Sequence, residues 1–189
     1  MKELGSKLLV IDDDDFELQT LKAFFEDIGY HVVIAKNGLE GIKIFRQEQV
    51  SLVLTDIYMP KMNGHEVISQ VNKESPDIPV IVISGMGDLS DAVKAIRLGA
   101  WDYVTKPIAD MSILEHTVNK ALERSKLLLE NKRYQHQLED LVKERTEELK
   151  FTNKLLEKEI DLCLRYEANL RENEKKMRSI VQNINEYIY

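Results

Sequence analysis

Leu52-Val53-Leu54-Thr55-Asp56-Ile57-Tyr58-Met59-Pro60-Lys61-Met62-Asn63-Gly64 decides the fold. Its apolar start reads as a buried parallel strand, and the Pro/Asn/Gly segment after it reads as a turn. Between the two stands one carboxylate, Asp56. A second apolar run, Leu8-Leu9-Val10-Ile11, ends in Asp12-Asp13-Asp14-Asp15. Two strands of one parallel sheet would bring these carboxylates to the same edge, where open α/β sheets bind ligands. Carboxylates crowded there repel one another unless a cation sits among them. An oxygen-rich pocket with a turn carbonyl beside it suits Mg²⁺.

The chain has 189 residues, enough for one ordinary domain and an appendage. Its net charge of −7 disfavours a nucleic-acid-binding role. Charged residues make up 31% of the chain, a share that fits a solvated helical segment. The single cysteine excludes an internal disulfide framework and fits a reducing compartment. Met1-Lys2-Glu3-Leu4-Gly5-Ser6-Lys7 runs directly into a strand and is not patterned as a signal peptide. No apolar stretch is long enough to span a bilayer, so the expected location is cytoplasmic.

Residues 1–110 alternate short apolar runs with amphipathic segments. The strand candidates are Lys7–Ile11, His31–Ala35, Leu52–Thr55, Val80–Ile83 and Asp102–Thr105. Helical patterns fill the gaps at Phe16–Ile28, Leu39–Gln49, Gly64–Asn72 and Leu89–Leu98. This alternation predicts an α/β fold with a parallel, doubly wound sheet of five strands and right-handed crossovers.

The composition changes after Pro107. From Ile108 to Tyr189 there is neither Pro nor Gly, a helix-permissive run of roughly 120 Å if fully helical. Leu114, Ala121, Leu128, Gln135, Val142, Leu149, Leu156, Cys163, Leu170, Met177 and Ile184 fall on one seven-residue column. A period of seven kept over this length predicts a left-handed coiled coil. The companion column is poorer. One register gives Leu138, Arg145, Thr152, Glu159, Tyr166, Asn173 and Ile180; the other gives Thr146, Asn153, Ile160, Glu167, Glu174 and Val181. The expected coil is therefore weak, a parallel homodimer able to change its packing at low cost. Cys163 of two parallel copies would face each other.

Residues 5–125 resemble the receiver domain of two-component response regulators. Five separated elements carry the resemblance: Asp12-Asp13 after the first strand candidate, Asp56 after the third, Ser84 after the fourth, Tyr103 in the fifth and Lys106-Pro107 just after it. The resemblance implies a flavodoxin-like sheet of order 2-1-3-4-5 and assigns roles. Asp56 would be the phosphorylated nucleophile. Asp13, Asp56 and the Tyr58 backbone carbonyl would ligate Mg²⁺ directly, and Asp12 would act through water. Lys106 would reach the phosphoryl oxygens as a point charge. Ser84 would donate to a phosphoryl oxygen, and Tyr103 would turn into the space this leaves. Tyr58 and Met86 occupy positions that tune how fast the phosphoryl group is lost. Lys106-Pro107 resembles a cis peptide that aims the lysine; the sequence itself says only that cis is possible there.

Other chemistry fits less well. Asp12-x-Asp14 is also the pattern of a haloacid dehalogenase-type phosphatase, but no candidate cap for substrate selection is present. A purely structural dimerisation module would have no use for the acidic set. The four histidines, His31, His65, His116 and His136, share no zinc-ligand spacing. Asp14 and Asp15 read as the start and cap of the first helix. Trp101 reads as a packing residue.

The helix after residue 125 carries a second resemblance. Residues 141–149 are similar to signalling helices that join sensory and output modules, and residues 170–184 are similar to the lead-in of a PAS domain. The expected organisation is a receiver at 1–125, a coiled-coil signalling helix at 126–176, and the start of a truncated PAS-like domain at 177–189. The expected partners are a sensor histidine kinase or phosphotransfer protein and a second copy of the chain, with no nucleic acid and no membrane in this fragment. The expected role is non-enzymatic, apart from self-catalysed gain and loss of the phosphoryl group.

Overall fold

The computed structural model describes residues 5–85 and 89–187, leaving out the side chains of residue 89 and of 181–187. The chain order is β1 (Lys7–Ile11), α1 (Asp15–Asp27), β2 (His31–Ala35), α2 (Gly38–Gln47), β3 (Leu52–Thr55), α3 (Gly64–Glu74), β4 (Val80–Ser84), α4 (Leu89–Leu98), β5 (Asp102–Thr105) and α5 (Met111–Tyr187). The strands form one parallel sheet of order β2-β1-β3-β4-β5. The parallel sheet is the one that the strand-helix alternation predicts, and its order is the flavodoxin-like one that the resemblance to receiver domains implies.

β1, β3 and β4 are apolar almost throughout because helices cover both faces of the sheet. Successive residues point to opposite faces, so one strand feeds two cores. Leu8, Val10, Leu52, Leu54, Ile81 and Ile83 pack with Leu18, Phe25, Leu114 and Val118 beneath α1 and α5. Leu9, Ile11, Val53, Val80 and Val82 pack with Val67, Ile68 and Val71 of α3 and with Ala95 of α4 on the other face. A register slip of one residue would exchange the two sets, so the pairing is tightly specified.

Local chemistry sets the helix starts. Asp14 caps α1, accepting from the N–H groups of Phe16 and Glu17, as its place before the helical run predicts. Asn63 and Glu66 form a reciprocal capping box on α3. Gly29 stops α1 with a φ of 96°, where a side chain would be strained. β4 runs one residue further than the apolar pattern suggests, because Ser84 still pairs with Thr105 of β5.

Contacts divide the chain into two units, Met1–Lys132 and Arg133–Tyr189. In the first, Leu114, Val118, Ala121 and Leu122 of α5 are buried in the sheet's core. Leu114 and Ala121, the first two members of the seven-residue column, therefore face the sheet. Ser125 donates to the Asp77 carbonyl at 2.7 Å, and Lys132 Nζ lies 2.6 and 2.8 Å from the two Asp77 carboxylate oxygens. In the second unit, helix stabilisation within the chain comes from pairs such as Asp161–Arg165 at 2.8 Å and Glu172–Lys176 at 2.7 Å. Val142, Leu149, Leu156, Leu170 and Met177 of the column are exposed there. Among the described residues, no helix is long and apolar enough to cross a membrane.

Candidate functional site

The order β2-β1-β3 makes the chain turn to opposite sides after β1, which opens a crevice at the C-terminal ends of β1 and β3. Asp12 and Asp13 follow β1 there, and Asp56 follows β3. One carboxylate oxygen from each lies within 4.8 Å of the others. Asp12 is buried, Asp13 exposed and Asp56 between the two. These hard, anionic oxygens are the donor type that Mg²⁺ takes, so the residues present fit that ion.

The backbone fixes Asp56 in place. Asp56 N–H donates to the Ile11 carbonyl at 2.9 Å, tying the residue to the end of β1. Its Oδ1 accepts from the Ile57 N–H at 2.5 Å and, at 3.5 Å, from the Tyr58 N–H. Gly64 N–H donates to the Ile57 carbonyl at 2.9 Å. A Cβ on Gly64 would stand 2.1 Å from the Asp56 carbonyl oxygen, so this close approach requires glycine.

Lys106 directly follows the end of β5 and is joined to Pro107 by a cis peptide. Its Nζ lies 2.7 Å from Asp12 Oδ2 and 3.3 Å from Asp56 Oδ2. It also lies 2.6 Å from Glu17 Oε2, on α1. Burial opposes the lysine's charge, but the hydrogen bonds it donates to Asp12 and Glu17 and the charges of Asp12 and Asp56 outweigh it, raising the ammonium's pKa. Burial pushes the Asp12 carboxyl up, against the pull of Lys106 and the Asp14 N–H. The open pocket above these groups is lined by Asp12, Asp13, Asp14, Asp15, Glu17, Asp56 and Lys106.

Ser84 comes from the end of β4. It is fully buried, and its Oγ has no hydrogen-bond partner among the described residues. Tyr103, on β5 directly beside β4, is partly buried against the core. Its hydroxyl lies 3.5 Å from the Gly85 carbonyl. Burial raises the Tyr103 phenol above its ordinary value, helped by the charges of Asp91 and Asp56.

Asp12, Asp13, Asp56 and Lys106 thus meet in one pocket. Ser84 ends the strand beside that of Asp56, and Tyr103 lies on the strand beyond. Tyr58 is exposed, and its hydroxyl donates to Asp91 of α4. Met86 lies outside the described residues. Sequence reading missed Glu17, which lies in the first turn of a helix beginning at Asp15 and 89 residues before Lys106. The only signal for it is an acidic residue four positions after Asp13, on the first helical turn above the pocket. It also missed Asp91 as the partner of Tyr58.

The response regulator receiver domain family matches residues 8–118. A probable transcriptional regulator, ycf27, of Porphyra purpurea is 37% identical over 131 residues, covering 69% of this chain and 53% of that protein. The transcriptional regulatory protein GlrR of Escherichia coli (strain K12) is 35% identical over 125 residues, covering 66% of this chain and 28% of that protein. The chain therefore spans about half the length of the ycf27 relative and less of the other. Among solved structures, a response regulator receiver domain protein of Clostridium thermocellum superposes with a TM-score of 0.62 at 37% identity, covering 65% of this chain and 98% of that one. NtrX of Brucella abortus superposes with a TM-score of 0.64 at 30% identity, covering 67% of this chain and 29% of that one.

Proposed function

Because the chain belongs to the response regulator receiver domain family of two-component signalling, we propose that it is a switch thrown by phosphorylation of Asp56, with a sensor histidine kinase or phosphotransfer protein as donor. The observation that carries this reading is the convergence of Asp12, Asp13 and Asp56, with the Lys106 ammonium against Asp12 and Asp56.

In the transfer, an Asp56 carboxylate oxygen bonds to phosphorus as the donor's bond to phosphorus breaks, leaving an acyl phosphate. Asp13, Asp56 and the Tyr58 backbone carbonyl would hold Mg²⁺ directly, and Asp12 through water. Bound there, the ion supplies neutralisation of the crowded carboxylates and of the transferring group. Lys106 turns its ammonium to a phosphoryl oxygen. Ser84 Oγ donates to another, and Tyr103 fills the space this movement leaves. Tyr58 and Met86 tune the lifetime of the acyl phosphate. The role is one of accepting and holding a phosphoryl group rather than turning over a substrate.

The change passes along α5. Exposed apolar side chains at a seven-residue spacing, from Val142 to Met177, support a parallel homodimeric coiled coil. The resemblance of residues 170–184 to a PAS lead-in supports an output module joined to that helix. Moving a switch from mostly off to mostly on takes about 5.5 kcal/mol of differential stabilisation. A new dianion with metal, lysine and hydroxyl partners supplies part of it.

The test is intact-protein mass after incubation with acetyl phosphate and Mg²⁺, beside Asp56→Asn. The expected result is one phosphoryl adduct in the parent, lost in the variant and lost without Mg²⁺. An adduct of equal yield in Asp56→Asn would overturn the assignment.

A further inference from the structure

Lys106 has three N–H donors, and three carboxylates receive them. Its Nζ stands 2.6 Å from Glu17, 2.7 Å from Asp12 and 3.3 Å from Asp56. The lysine side chain is only 14% exposed. No donor is left for an incoming phosphoryl oxygen, so one of these bonds must open before Lys106 can serve one.

The three partners differ in how easily they let go. The Asp12 side chain is 3% exposed, and its other oxygen accepts the Asp14 N–H at 2.9 Å. Releasing Lys106 would leave a buried carboxylate without its cation, a costly arrangement. Asp56 is the phosphoryl acceptor itself and stays beside the reacting phosphorus. Glu17 is 35% exposed and can turn into water. An ion pair with one partner this exposed is also weak.

We propose that Glu17 is a positioning residue that holds Lys106 away from the phosphodonor in the resting protein and must release it for phosphorylation to begin. This rests on the reading of Asp56 as acceptor. The Glu17–Lys106 pair is an equilibrium restraint: no bond is made or broken covalently, and no proton is transferred. The donor's phosphoryl group and Glu17 compete for one ammonium. The restraint lowers the rate at scarce donor and fades when donor is abundant. Glu17 thereby sets the donor concentration at which the switch responds.

The experiment compares the full chain with Glu17→Gln and Asp15→Asn. Asp15 lines the same pocket, but its side chain pairs with Lys36. Asp15→Asn therefore removes a nearby negative charge without touching Lys106. Two quantities are read. One is the rate of Lys106 acetylation by acetic anhydride, measured by peptide mass spectrometry without Mg²⁺ or phosphodonor. The other is the initial rate of phosphorylation across a range of acetyl phosphate concentrations with Mg²⁺.

Glu17→Gln is expected to raise Lys106 acetylation, and the phosphorylation rate at low donor, roughly two- to fivefold. The two phosphorylation curves should converge at high donor, and Asp15→Asn should follow the parent in acetylation. Unchanged acetylation in Glu17→Gln, or an equal gain in Asp15→Asn, overturns the inference. So does faster phosphorylation at every donor concentration by the same factor. Should the parent take no phosphoryl group at all, the acceptor reading of Asp56 fails, and acetylation still decides whether Glu17 holds Lys106.

Discussion

The Tyr58 hydroxyl donates to the Asp91 carboxylate, tying the loop after Asp56 to the first turn of α4. That bond, followed by burial and the charges of Asp91, Tyr103 and Asp56, raises the phenol above its ordinary value. A side chain two residues from Asp56 is thus a handle on α4, the helix between β4 and β5. Tyr58→Phe keeps the ring and removes the handle. Amide hydrogen exchange in α4 should then quicken while α1 stays unchanged. Equal exchange in both proteins would mean that the bond does not restrain α4.

Gly64 makes a second connection to Asp56, through space rather than by hydrogen bonding. In Gly64→Ala the new methyl would meet the Asp56 carbonyl oxygen at 2.1 Å and Ile57 Cα at 2.8 Å. Both are backbone atoms, so the loop must move. The expected cost is about 1–3 kcal/mol in chemical denaturation. Because the displaced atoms belong to Asp56 and Ile57, phosphoryl uptake from acetyl phosphate should also fall. A stable variant with full uptake would show that the loop yields without disturbing the carboxylate.

Cys163 is exposed and belongs to the seven-residue column. In a parallel, in-register homodimer the two copies meet across the helix pair. Mild oxidation should then give a covalent dimer on non-reducing gels, and Cys163→Ser should give none. Sedimentation should show a dimer before oxidation. A parent that sediments as a monomer, or that resists cross-linking, would remove the parallel coil.

Glu74 offers a test of acid sensitivity away from the pocket. Arg46 hydrogen-bonds it, with support from Gln70, and lowers its carboxyl from 4.5 to about 2. A depressed carboxyl pKa contributes stability above the unfolded value and loses it as the group is protonated in the fold. The contribution is therefore complete above about pH 5.5 and fades as pH falls from 4.5 toward 2. The melting temperatures of the parent and Glu74→Gln should differ at neutral pH and converge near pH 2. A gap that stays constant across that range would show that the pair is not the source.

The elements were legible because each carries its own period. Leu89–Leu98 is bounded as its pattern suggests, and Leu8-Leu9-Val10-Ile11 is apolar at every position because it faces two cores. Asp12, Asp13, Asp56 and Lys106 were legible because each sits at a strand end, and parallel topology gathers strand ends at one edge. Glu17 was not legible. A glutamate on the first turn of an amphipathic helix has the pattern of a solvated residue, and its partner Lys106 lies in a distant part of the sequence. Asp91 was hidden for the same reason, since neither residue of its pair is marked by periodicity. Leu114 and Ala121 fit a coiled-coil column, yet the sheet claims them, because a heptad count does not register which surface an apolar face meets.

The pocket is built from residues far apart in the chain. Lys106 and Asp12 are separated by 94 residues, and Lys106 and Asp56 by 50. Such long loops must close before these contacts repay their entropy, so this is among the slow, non-local parts of folding. Synthesis runs from the N-terminus, and β5 is the last strand of this sheet to leave the ribosome. Until it pairs with β4, the acidic cluster stands without its lysine. On the proposed reading of Asp56, a half-made chain is therefore no acceptor, and competence for the phosphoryl group arrives only with the completed sheet.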